Sequence, residues 1–171
     1  MKNFLLIAVM LLTTFSISAQ EKKDKKPLLS PRAFVKTADI NISYGQPSKR
    51  NREIFGALVP YGQVWRAGAN EATEITFKKD MMFGGTAVPA GTYSLFAIPN
   101  ENQWTIILNG QLGQWGAFEY DKYKSKDAAH IDVPVQKLGK VQEKLVYEVK
   151  KDTLKISWDK TSVSVPVTVK K

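Results

Sequence analysis

Apolar residues recur at every second position through much of this chain, and that period decides what it folds into. Leu145, Tyr147 and Val149 follow it, as do Leu154, Ile156 and Trp158, and then Val163, Val165, Val167 and Val169. A two-residue period places such residues on one face of an extended strand, whereas a helix would scatter them around its surface. Lys151-Asp152 and Asp159-Lys160 separate the three runs, which predicts a three-stranded antiparallel meander. Upstream, Ala38, Ile40, Ile42 and Tyr44 keep the same period, and so do Thr73, Ile75 and Phe77, then Trp104, Ile106 and Leu108. Ile131, Val133 and Val135 form a further short strand, and Pro134 within it favours a sheet edge. Thr92 to Ile98 is apolar on both faces and reads as a central, doubly covered strand.

The punctuation agrees with short strands. Gly84-Gly85, between Met82-Phe83 and Thr86-Ala87-Val88, predicts a tight hairpin. Lys49 to Gly56 has room for one helical turn closed by Gly56. Tyr120 to Asp127 reads as a polar loop. The total is about nine short strands, with no long helical period and no repeat of fixed length. The expected fold is all-β: a single-domain antiparallel β-sandwich or partly open barrel.

Residues 1–19 stand apart from that domain. Met1-Lys2-Asn3 is a short basic start, Phe4 to Phe15 is almost wholly apolar, and Ser16-Ile17-Ser18-Ala19 is small enough for a signal peptidase. This is the layout of a cleaved secretory signal peptide, too short to span a bilayer. Residues 20–29, with the charged run Glu21 to Lys26, read as a flexible linker, and 30–171 as the β-domain. The mature chain keeps roughly 150 residues, enough to bury about two-thirds of its unfolded surface without a metal or disulfide. With no cysteine there is no disulfide framework and no lipid attachment at a cysteine. The expected location is the periplasm or the cell exterior, with no membrane insertion after cleavage. The net charge of +9 is spread along the chain, and no basic stripe interleaved with aromatics marks a nucleic-acid partner.

One loop concentrates the polar chemistry. Within Trp65-Arg66-Ala67-Gly68-Ala69-Asn70-Glu71 stand an aromatic, a planar cation, an amide and a carboxylate, spaced by small residues. Arg66 offers a fork of donors for a carboxylate or phosphate, Asn70 donates and accepts, and Glu71 accepts. Trp65 could floor a site for a sugar or small acid, with Trp115 and Tyr61 as further lining. The competing reading is an internal network in which Arg66 pairs with Glu71 and Asn70 caps a turn. Trp104 and Trp158 fall on strands and read as core. His130 is the one histidine and reads as exposed, so neither a metal site nor a cofactor is expected.

Four segments carry a family resemblance: Ser43-Tyr44-Gly45-Gln46-Pro47, Leu58 through Thr73, Val88 through Phe96, and Trp115-Gly116-Ala117-Phe118. Together they resemble a family of exported bacterial proteins known as a domain of unknown function, DUF2911. The resemblance spans roughly Ser30 to the C-terminus. It implies a secreted all-β domain, and it supplies no catalytic residues.

Three functional readings follow. The leading one is a non-enzymatic binding protein for a sugar or small carboxylate. The second is a glycan hydrolase using Glu71 with Glu74 or Asp80. The third is a structural module docking on an envelope protein partner.

Overall fold

The computed structural model describes residues 29–171. The expected signal peptide and all but the last residue of the expected linker lie outside those residues. Ten strands are present: β1 (Arg32–Lys36), β2 (Ile40–Gly45), β3 (Thr73–Phe77), β4 (Met81–Phe83), β5 (Thr86–Val88), β6 (Gly91–Pro99), β7 (Gln103–Asn109), β8 (Asp127–Pro134), β9 (Gln136–Lys150) and β10 (Thr153–Val169). They form two antiparallel sheets, ordered β1-β2-β3-β6-β7-β8 and β5-β4-β10-β9. The fold is the expected all-β sandwich; no barrel closes.

The period-two residues meet between the sheets. Ile42, Ile75, Leu95 and Ile106 from the first sheet pack in one cluster with Phe83, Leu154, Ile156 and Val165 from the second. Trp104 and Trp158 are both 1% exposed at its centre. β6 is central, paired with β3 and β7, and covered on both faces as its composition implies. Leu95 and Ala97 point into the main core. Phe96 points the other way, into a second cluster with Ala72, Ile107 and Tyr120. That outer face is covered by loop and helix, not by strands. The β4–β5 hairpin turns on Gly84 and Gly85 at φ +57° and +87°, a left-handed pair that suits the twist of the strands.

Several elements differ from expectation. The tail is two long strands, not three short ones. β10 runs through Asp159-Lys160 without reversing, and its pairing with β9 shifts register on both sides of Asp159. Asp159 takes φ +54°, so the charged pair marks a bulge rather than a turn. β1 is an additional strand antiparallel to β2. Lys49 to Gly56 forms turns without a helix, and the polar loop after Ala117 holds a short helix, α1 (Tyr120–Tyr123), followed by a 3₁₀ turn at Lys124–Lys126. β8 is an edge strand, as Pro134 foretold.

Candidate functional site

Ahead of β3 in the chain, the stretch around Trp65 takes its place beside β6. Trp65 N–H donates to Ala97 O at 2.7 Å, and Ala97 N–H donates to Trp65 O at 2.8 Å. The residues that follow are fastened at nearly every peptide. Ala67 O accepts from Thr73 Oγ1 at 3.0 Å and from Tyr147 Oη at 2.6 Å. Thr73 N–H donates to Arg66 O, Ala69 N–H to Gly45 O, and Gly116 N–H to Asn70 O. Ala67 and Asn70 sit at φ +51° and +66°, which folds the segment back on itself. Gly45 makes this possible: a Cβ there would lie 1.9 Å from Ala69 O, so only glycine admits the backbone approach.

Each residue of the predicted constellation has a distinct fate. Trp65 is core, 8% exposed, stacked on Trp158 at 6.0 Å and edge-on to Trp104, with its Nε1–H donating to Gly68 O. Only part of the ring reaches a cavity wall. Asn70 donates Nδ2–H to Ser30 O at 3.0 Å and holds the start of the described chain against the loop. Glu71 does not pair with Arg66. Its carboxylate takes Arg32 Nη1 at 3.0 Å, and Arg32 Nε also donates to Ser43 Oγ at 2.8 Å. The internal Arg66–Glu71 network is thus replaced by an Arg32–Glu71 pair. Tyr61 and Trp115 are exposed, 38% and 53%, and line neither neighbouring cavity. Burial, with Glu101 and Glu53 nearby, raises the Tyr61 phenol, so it stays a neutral donor.

Arg66 is left without a partner. Among the described residues its guanidinium makes no ion pair, and its Nε is buried without a hydrogen bond. Trp104 Nε1 and Gln114 Oε1 share that condition, but neither carries charge. Burial lowers the Arg66 pKa from the ordinary arginine value, and no neighbouring carboxylate offsets the cost. Two cavities open beside it. One, of about 340 Å³, is lined by Leu58, Pro60, Gln63, Val64, Arg66 and Phe118, among others. The second, of about 290 Å³, is lined by Ser30, Arg52, Arg66, Asn70 and Trp158, among others. Leu58, Val59, Trp65 and Arg66 border both. Among the described residues, no Asp or Glu lines either. Arg52 donates its Nε and Nη2 to Lys49 O and Ser48 O, so it adds a second cation held by neutral carbonyls. By contrast, two other hollows each place a carboxylate among their lining, Asp80 with Lys170 and Asp152 with Lys171.

Residues 27–167 match a protein-family model. The chain belongs to the family described as Protein of unknown function (DUF2911). No curated protein and no solved structure matches it. In this DUF2911 chain the four segments that carried the resemblance meet in space. Gly45 abuts Ala69, Trp65 bridges to Ala97 just beyond Phe96, and Glu71 bridges to Trp115. The motifs therefore frame the loop that presents Arg66.

Sequence reasoning located the loop and Arg66 but missed Arg52, Leu58, Gln63 and Phe118 as lining. Phe118 lay inside a motif segment. Arg52 lay in the stretch read as one helical turn, and only folding brings it to the same cavity as Ser30.

Proposed function

We propose that this protein is a non-enzymatic binding protein for a small anionic ligand, a carboxylate in the first instance, held by Arg66. The observation that carries the reading is the half-buried guanidinium with no counter-charge among the described residues, at the border of two cavities that those residues line without an Asp or Glu. A buried cation left unpaired is costly, and a fold that satisfies nearly every other peptide in this loop leaves this one group open. A carboxylate would supply the paired acceptors that the guanidinium fork is shaped for. Glu71, the residue a hydrolase reading requires, is engaged by Arg32 and lines neither cavity, which favours binding over hydrolysis. The apolar start and small-residue Ser16–Ala19 stretch support export to the periplasm or beyond, where such a ligand would be met.

The test is a thermal-shift screen with small carboxylates and neutral sugars. A ligand at a hundred times its Kd adds about 2.7 kcal/mol to the native state and raises the midpoint. Arg66→Ala is expected to retain the fold and lose the shift. A full shift in Arg66→Ala, or no shift with any carboxylate or sugar, overturns the reading.

A further inference from the structure

The two cavities at Arg66 present different side chains, and the difference bears on what the ligand is made of. Polar groups of Ser30, Asn70 and Arg52 reach the wall of the smaller one. In the larger, Gln63 and Arg66 are the polar side chains, set among Leu58, Pro60, Val64 and Phe118. A sugar carries a hydroxyl on nearly every carbon, and each needs a partner when it leaves water. Among the side chains of the larger cavity, one amide and one guanidinium are the partners on offer. A hydrocarbon or aromatic group needs none.

Phe118 adds an independent sign. Its ring is 82% exposed, the most exposed large apolar side chain among the described residues, yet it borders this cavity. The ring lies over Gly116, where a Cβ would come within 2.8 Å of Phe118 Cε2 and where φ is +70°. The loop is therefore shaped to hold the ring up at the cavity mouth. Leu58, which also lines this cavity, is 45% exposed, so two apolar side chains at the cavity are left uncovered by the protein itself.

We propose that the ligand is an amphiphilic acid, with its anionic head on Arg66 and a hydrocarbon or aromatic body in the larger cavity under Phe118. This rests on the anion-binding reading above and narrows it. The head chemistry is shared by carboxylates and alkyl phosphates; the body excludes sugars and short polar acids.

Calorimetric titration of the full chain with acetate, butyrate, hexanoate and octanoate tests it. Affinity is expected to rise about fourfold per methylene until the cavity is filled. Octanamide, which keeps the body and loses the charge, is expected to bind at least about tenfold more weakly than octanoate. Octyl phosphate in place of octanoate distinguishes the two heads. Phe118→Ala should flatten the chain-length dependence, while Arg66→Met should abolish the preference for acid over amide. Phe34→Ala, an exposed ring on β1 away from both cavities, should change neither, which separates the site from general adsorption to apolar surface. Acetate binding as tightly as octanoate, or an Arg66-dependent sugar, would overturn the amphiphile and leave the anion site standing. Octanamide equal to octanoate would overturn the ion pairing. Absence of binding by every member of the series would remove both.

Discussion

Asp127, whose carboxylate is buried, and Arg66, whose guanidinium is half-buried, are treated by the fold in opposite ways. The Asp127 side chain is 8% exposed and collects donors from three directions. Asn109 Nδ2–H donates to Oδ1 at 2.7 Å, Tyr120 Oη–H donates to Oδ2 at 2.6 Å, and His130 Nε2 lies 2.8 Å from Oδ2. The carboxylate ties β7, β8 and α1 together over the outer face of the first sheet. Arg66 collects nothing among the described residues, although its backbone is fastened as firmly as any in the chain. The lesson is that this molecule satisfies a buried charge when the charge serves the fold. Arg66, on a loop fastened by backbone hydrogen bonds, is the charge it leaves unpaired among the described residues.

That contrast is open to attack at several points. The largest expected effect is Gly45→Ala. Its Cβ would meet Ala69 O, which is backbone and cannot swing aside, so the Arg66 loop must lift off β2. We expect a loss of more than about 3 kcal/mol in urea unfolding, together with loss of any ligand-induced shift. A near-neutral result would mean the loop is looser than the contacts imply. Asp127→Ala comes next. It strands a buried phenol and amide, and about 3 kcal/mol of stability should go, with ligand binding unchanged in the surviving native fraction.

Tyr120→Phe is smaller at neutral pH, about 1 kcal/mol for the lost hydrogen bond. It sharpens the comparison at high pH. Burial, and then the Asp127 carboxylate, raise the Tyr120 pKa from its ordinary value of 10.0. The neutral phenol is the form the fold favours, so this stability is complete below pH 10 and drains away as pH rises toward the folded-state value. Buried Tyr147 is raised in the same sense. Alkaline unfolding followed by absorbance at 295 nm should therefore be shallower in Tyr120→Phe than in the parent. The smallest effect belongs to Arg66→Met, which keeps the stem and removes the charge. With no partner to strand, its midpoint should stay within about 0.5 kcal/mol of the parent. A loss as large as that of Asp127→Ala would erase the distinction between the two sites and make Arg66 structural.

The alternating runs of β2, β3, β7 and β8, the doubly apolar β6 and the Gly84-Gly85 hairpin were legible because each is a local matter. Side-chain period and φ preference act within a few residues. The tail shows where locality ends. Asp159-Lys160 has the composition of a turn, but β9 continues opposite it, and cross-strand pairing turns the interruption into a bulge. β1 was hidden because its exposed face, with Phe34 and Arg32, carries no clean alternation.

The site divides along the same line. From the order of residues alone came the all-β class, the loop that would break the strand pattern, and Arg66 as the donor fork within it. The partners came only with the tertiary structure. Glu71 is five positions from Arg66, yet it pairs with Arg32 on β1, because two left-handed residues and the Gly45 contact fold the loop back and set Glu71 beside β1. Trp65 was packed into the core on Trp104 and Trp158 while still bordering both cavities, and Phe118 was brought to the larger one. Propensity acts along the chain, whereas charge pairing and burial act through space, and it is the second pair of forces that paired Glu71 with Arg32 and left Arg66 unpaired among the described residues.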